Sequence, residues 1–220
     1  MQSSVLVLST DPQGSAVWWA DRVGEGLPFD FDQAHHNLPG IADLKNLGAQ
    51  IHVVANQKGG VGKTTVTVNL AAVVYATLGD AAAGYRHVFV DTPGSLEDKH
   101  ILAACLDVAH DVIVPMPPEG LAFDATARTV TKVIEPRGLP YKVVVNAWDP
   151  RDGHADLEET EAYIDAKGWP RARTVIRRYK VHTRASVQGM VVTQYPKNRV
   201  AMEAREDFFR LALELGYGGA

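Results

Sequence analysis

Ile51 to Leu78 reads IHVVANQKGGVGKTTVTVNLAAVVYATL: an apolar run, a glycine-rich turn, and a long amphipathic stretch that the turn opens. The pattern predicts strand, phosphate-binding loop and helix. Within it Lys58, Gly59, Gly60, Val61, Gly62, Lys63, Thr64 and Thr65 match the loop pattern without a break. Glycines there let backbone N–H groups converge on phosphate oxygens without interference from Cβ atoms. Lys63 is placed to reach the β- and γ-phosphates and Thr64 to hold Mg²⁺, while the helix starting near Lys63 adds its N-terminal dipole to the anion site.

Gln57 stands where the ordinary Walker A pattern has its first glycine, and Lys58 precedes the glycine pair. In this the chain resembles the ParA/MinD family of ATPases, best the small plasmid-partition type without an N-terminal DNA-reading domain. The resemblance implies ATP and ADP as ligands with Mg²⁺. It also implies that Lys58 reaches across a nucleotide-sandwiched homodimer to the phosphates of the second copy. One flexible ammonium already serves a single triphosphate, so a second lysine in the turn otherwise lacks a purpose.

With 220 residues, 46% hydrophobic and 22% charged, the chain suits one globular α/β domain spanning 1–220. The net charge is −4, but from Ala166 to Met202 there are nine Lys and Arg residues and no acid, leaving −13 on the remainder. An acidic protein with one basic face is expected. Cys105 is the only cysteine, so neither an intrachain disulfide nor a cysteine-held cluster is available. No apolar run approaches the roughly 20 residues that span a bilayer. A cytoplasmic protein is expected, nucleoid-associated when ATP-bound.

Val5 to Leu8 reads as a buried strand ending in Ser9-Thr10-Asp11-Pro12-Gln13-Gly14. In the family that segment lies beside the phosphates, and its aspartate, here Asp11, is associated with hydrolysis. A carboxylate there can orient water, because phosphoryl transfer needs positioning more than covalent chemistry. The alternative is that Asp11 caps the following helix, Ser15 to Gly24. Trp18 and Trp19 in that helix cannot both face one core, so one is expected at the surface. Phe29-Asp30-Phe31 reads as a short edge strand and Ile41 to Gly48 as a helix closed by glycine. His35-His36, with no second cluster at ligand spacing, reads as a solvated pair rather than a metal site.

Gly79 to Gly84 is a small-residue connector, and Val88-Phe89-Val90-Asp91 then gives a buried strand ending in the Walker B position, with Asp91 on Mg²⁺. Pro93-Gly94 resembles the switch turn that senses the γ-phosphate. Helices are expected over Asp98–Asp107, Leu121–Ile134, Glu158–Lys167 and Asn198–Leu215, and strands at Val112–Pro115, Tyr141–Asn146 and Thr174–Ile176. The resemblance puts Asn146 at the base-contacting position, although a turn-forming Asn at a strand end fits as well. Arg177, Arg178, Lys180, Arg184, Lys197 and Arg199 are the candidate DNA contacts.

One feature departs from the family, which places the P-loop first and the DPQG segment second. Here Asp11 precedes the loop, while the Walker B strand and all beyond it keep their usual order. Rotating the chain ends cannot produce this; a transposed block is expected, from an engineered rearrangement, with the Ala-rich connector in support, or from a natural event. The implied fold is a doubly wound, mostly parallel P-loop sheet. Its strand order, numbered along this chain, is 2-1-4-3-5-6-7, with right-handed crossovers keeping each helix on its family face.

The resemblance implies a slow ATPase stimulated by a ParB-like partner, binding DNA without sequence preference and moving a plasmid or chromosome. The alternative is a rearranged nucleotide-binding protein with little or no hydrolysis. A membrane switch is disfavoured because Glu203, Glu206, Asp207 and Glu214 make the last helix acidic, and an iron–sulfur reductase because Cys105 stands alone.

Overall fold

The computed structural model describes residues 2–34, 38–95 and 97–218, so His35 and His36 lie outside the described residues. Near-continuous apolar runs form the strands of a seven-stranded sheet, as expected where both faces are covered. Its members are β2 (Val5–Ser9), β3 (Asp30–Gln33), β4 (Gln50–Val54), β6 (His87–Asp91), β7 (Asp111–Met116), β8 (Tyr141–Trp148) and β9 (Ile176–Arg177). They lie in the order β3-β2-β6-β4-β7-β8-β9, and every neighbouring pair is parallel. Two short strands, β1 (Gln2–Ser3) and β5 (Asp80–Ala81), form a separate antiparallel pair that ties the chain start to the small-residue connector.

Helices α1 (Ser15–Val23), α3 (Lys63–Leu78), α7 (Lys180–Val187) and α8 (Arg199–Leu215) cover one face, where Trp19, Val66, Leu70, Phe89, Val181 and Phe208 share a core. The other face carries α2 (Leu38–Ala42), α4 (Lys99–Val108), α5 (Gly120–Thr129) and α6 (Ala155–Ala166), packed through Ile41, Ile51, Cys105, Ile134 and Ile164. Among the described residues no helix is long and apolar enough to cross a membrane.

Several expected elements take a different form. The stretch after the P-loop is not amphipathic: every residue from Val66 to Val74 is buried, because α3 is enclosed by the sheet beneath it and by its neighbouring helices. The helix expected over Ile41–Gly48 is split into α2 and a 3-10 turn, Asp43–Leu47, closed by left-handed Gly48. The helix expected to Ile134 ends its α-helical part at Thr129 and continues as a π turn, Val130–Ile134. The last strand begins at Ile176 rather than Thr174, because the N–H groups of Arg173 and Thr174 donate to the Glu214 carboxylate instead of a strand neighbour. Trp19 is buried and Trp18 is 45% exposed, which divides the tryptophan pair between core and surface.

Candidate nucleotide site

The P-loop bridges the end of β4 and the start of α3, and its path depends on left-handed glycines. Gly60 has φ 78° and Gly62 φ 87°, a region that side chains other than glycine rarely enter. Side chains from the far face hold the loop from below. Asn56 Nδ2 donates to the Pro115 carbonyl at 2.9 Å and to Thr126 Oγ1 at 3.0 Å, and Gln57 N donates to Thr129 Oγ1 at 2.9 Å. Asn146 Nδ2 donates to the Val61 carbonyl at 2.8 Å. A β-carbon on Gly62 would collide with that nitrogen. A bulge at the end of β8 aims Asn146 at the loop, with Ala147 at φ 63° the non-glycine left-handed residue among those described. The structure therefore places Asn146 as a buried buttress of the loop.

Around this cradle the chemistry-bearing side chains converge. Lys63 is buried, and its Nζ donates back to the Lys58 carbonyl at 3.1 Å. Burial pushes the Lys63 ammonium down from its ordinary value, opposed by the carboxylates of Asp91 and Asp11. Thr64 Oγ1 donates to Asp91 Oδ2 at 2.8 Å, and Asp91 is fully buried. Burial raises the Asp91 carboxyl to about 7, against the Thr64 hydrogen bond and the Lys63 charge. Among the described residues its Oδ1 has no hydrogen-bond partner. An orphaned carboxylate oxygen beside a threonine hydroxyl suits a hard cation, which takes oxygen ligands. The backbone on the far side is equally close: a β-carbon on Gly94 would fall 2.7 Å from Lys63 Nζ and 3.0 Å from Gly59 Cα.

The loop opens into a cavity of about 860 Å³, lined by the P-loop residues, Asp11, Gly94 and Ser95, by Ser15, Trp18 and Trp19 of α1, and by His182, Thr183 and Ser186 of α7. Asp11 reaches this cavity because Thr10, next to it, donates from N and Oγ1 to the Asp91 carbonyl, each at 2.9 Å. The Asp11 carboxylate does not cap α1, whose N-cap is Gly14; it accepts from Gln13 N at 3.0 Å.

Helix α7 is the part of the wall that sequence reasoning missed. Val181 and Ala185, both buried and one helical turn apart, were its signal. Trp19 Nε1 donates to the Met190 carbonyl at 2.9 Å and Arg22 Nη1 to the Val187 carbonyl at 3.1 Å, locking α1 to α7. Lys58, which precedes the lining glycines, is partly exposed, its Nζ 3.8 Å from Glu119 Oε2.

The basic residues do not form one group. Arg178, Lys180, Arg184, Lys197 and Arg199 are exposed. Arg177 is not a free surface cation: its guanidinium donates to Asp207 at 2.7 to 3.1 Å and to the Glu203 carbonyl at 3.2 Å. Arg199 lies 3.5 Å from Glu203 yet remains 89% exposed.

A glycine cradle, a buried lysine, a threonine–aspartate pair and a second carboxylate at the carboxyl ends of parallel strands define a P-loop nucleotide-binding protein. Residues 52–210 match the CobQ/CobB/MinD/ParA nucleotide binding domain, and the chain belongs to that family. It is 30% identical over 211 residues to the maintenance of carboxysome distribution protein A of Gloeobacter kilaueensis, covering 96% of this chain and 80% of the relative. Among solved structures, the ATP complex of a Cyanothece McdA variant superposes with a TM-score of 0.58 at 12% identity, covering 76% of this chain and 96% of that one. A putative plasmid partition protein of Borrelia burgdorferi B31 bound to AMPPNP gives 0.53 at 14% identity, covering 96% and 87%.

Proposed function

We propose that this chain is a single-domain ParA-type ATPase. The observation that carries the reading is the meeting of Lys63, Thr64 and Asp11 in one cavity, with Asp91 bonded to Thr64 beneath it. Backbone N–H groups of Gly59 to Thr65 cradle the phosphates, Lys63 neutralises the β- and γ-oxygens, and Thr64 with Asp91 holds Mg²⁺. The metal, when bound, offsets charge that develops on the transferred phosphoryl group. Asp11 orients water towards that group. Lys58 exchanges its long contact with Glu119 for the phosphates of a second copy, so that ATP closes a sandwich homodimer.

The exposed cations of the acid-free segment hold DNA without sequence preference, and a ParB-like protein stimulates slow turnover. The cargo is a plasmid, a chromosome or a body carried on the nucleoid; the carboxysome-distribution and plasmid-partition relatives support that class. The family pattern begins at residue 52, and Asp11 lies before it. This supports a transposed block whose rewiring leaves the site's parts together.

The decisive experiment is phosphate release under saturating ATP and Mg²⁺, with and without DNA. Release that depends on Asp11 and rises with DNA supports the ATPase. Nucleotide binding without release assigns the chain instead to a rearranged binder with little hydrolysis.

A further inference from the structure

One large exposed apolar side chain lines the nucleotide cavity, and another stands two residues beyond the acid that contacts Lys58. The first is Trp18 on α1, part of the cavity wall and nearly half exposed. The Arg22 guanidinium lies 4.4 Å from the ring centroid, and Arg22 Nη1 is tied in turn to the Val187 carbonyl. The aromatic is thus pre-organised, with an exposed cation beside it. The second is Leu121 in the first turn of α5, 86% exposed. Pro117 and Pro118 stiffen the backbone before it. Glu119 N donates to the Pro117 carbonyl at 2.8 Å, and Ala122 N donates to the Glu119 carbonyl at 2.7 Å. The Glu119 carboxylate is largely exposed, 3.8 Å from Lys58 Nζ.

A single surface leucine needs no explanation by itself. Its nearness to Lys58 gives this one a place. When Lys58 of one copy enters the cavity of a second, Glu119 and Leu121 travel with it to the cavity mouth, where Trp18 and Arg22 stand. Apolar surface then meets apolar surface, and carboxylate meets guanidinium. Two-fold symmetry repeats the contact in the opposite sense. Glu119, which gives up Lys58 to the phosphates, gains Arg22 in exchange. Glu119 and, one turn on, Asp124 put negative charge around Leu121, so this corner repels nucleic acid and an anionic membrane.

We propose that Trp18 and Arg22 of each copy seat Leu121 and Glu119 of the other in the ATP-closed homodimer. The inference rests on the reading that ATP closes such a dimer, and it adds which side chains hold the dimer shut. Trp18 is a rigid aromatic anchor of the kind that carries interface energy, and the Arg22–Glu119 pairs fix the register.

The test follows the full chain with ATP and Mg²⁺ by melting, by light scattering across a dilution series, and by tryptophan emission. The parent should melt higher with nucleotide, dimerise, and shift its emission to the blue, a shift absent from Trp18→Phe. Leu121 lies outside the cavity lining. Leu121→Ala should therefore keep the nucleotide-induced rise in melting temperature, yet dimerise at least about tenfold more weakly. At concentrations where the parent is dimeric it should also lack the blue shift. Leu121→Met should restore both. The proposal is overturned by a Leu121→Ala chain that dimerises as tightly as the parent, or by a blue shift that persists in Trp18→Phe. A blue shift in monomeric Leu121→Ala would overturn it as well, since nucleotide alone would then cover the ring. A parent that binds ATP and stays monomeric would refute the homodimer reading itself, and the proposal with it.

Discussion

Arg177 and Asp207 form a multiply hydrogen-bonded ion pair, with Arg177 Nη2 2.7 Å from Asp207 Oδ1 and Arg177 N donating to Oδ2 at 3.0 Å. The Asp207 side chain is only 5% exposed. The pair joins β9 to α8, so Arg177 acts within the fold. Arg177→Ala should destabilise the chain by about 3 kcal/mol, since it leaves a buried carboxylate without its cation. Urea unfolding checks this; a variant as stable as the parent would show that the pair contributes nothing.

The remaining exposed cations should set the salt dependence of DNA binding. Each phosphate neutralised contributes about −0.9 to the slope of log K against log salt. Removing Arg178 and Arg184 together should lower the slope's magnitude by roughly 1.8 if each contacts one phosphate. Anisotropy with a labelled duplex across a salt series measures it, and an unchanged slope would take α7 and its approach off the DNA surface.

ATP with Mg²⁺ at about 100 times Kd should stabilise the fold by about 2.7 kcal/mol. Lys63→Ala should erase that gain by deleting the cation paired with the phosphates. Lys58→Ala should keep it while losing the ATP-dependent dimer seen by light scattering. A Lys58 variant that still dimerises would refute the cross-dimer role.

Gly94→Ala should also abolish the nucleotide-induced rise in melting temperature. Its β-carbon would press on Lys63 Nζ and on the Gly59 backbone, at 2.7 and 3.0 Å. The lysine can swing aside, but the loop backbone moves less readily. Normal ATP binding by this variant would mean that the turn at Gly94 has room to shift.

Burial lowers the His87 imidazole from 6.5 to about 4, helped by the neighbouring His52 and Arg86 and opposed by Asp111. Burial lowers His182 to about 4 as well. As pH falls, the unfolded chain takes up these protons near 6.5, whereas the folded chain does so only near 4. Stability should therefore fall as the pH drops through that window and level off below it. His87→Gln should flatten part of the slope and leave the His182 share. Urea midpoints across the window test it; an undiminished slope would remove His87 from the account.

Much of the site was legible because its chemistry is local. The loop from Lys58 to Thr65 is contiguous, its glycines fix the backbone, and an apolar strand and a helix on either side place it. Asp91 was legible as the polar end of a buried strand. Asp11 was identified by resemblance, and the contact of Thr10 with the Asp91 carbonyl is what brings it to the cavity. Cys105 was readable as a core residue from its helix, and it is buried.

What the chain order could not reveal depends on contacts between distant segments. Arg177 looks like any surface cation until α8 brings Asp207 beneath it. Asn146 looks like a turn residue or a base contact, and its support of the Val61 carbonyl comes only from the bulge in β8. Helix α7 has one short apolar repeat, and its place in the cavity wall comes from Trp19 and Arg22 reaching across from α1. Backbone geometry and apolar period are written residue by residue; the partner of a charge and the target of a buried amide are set by packing.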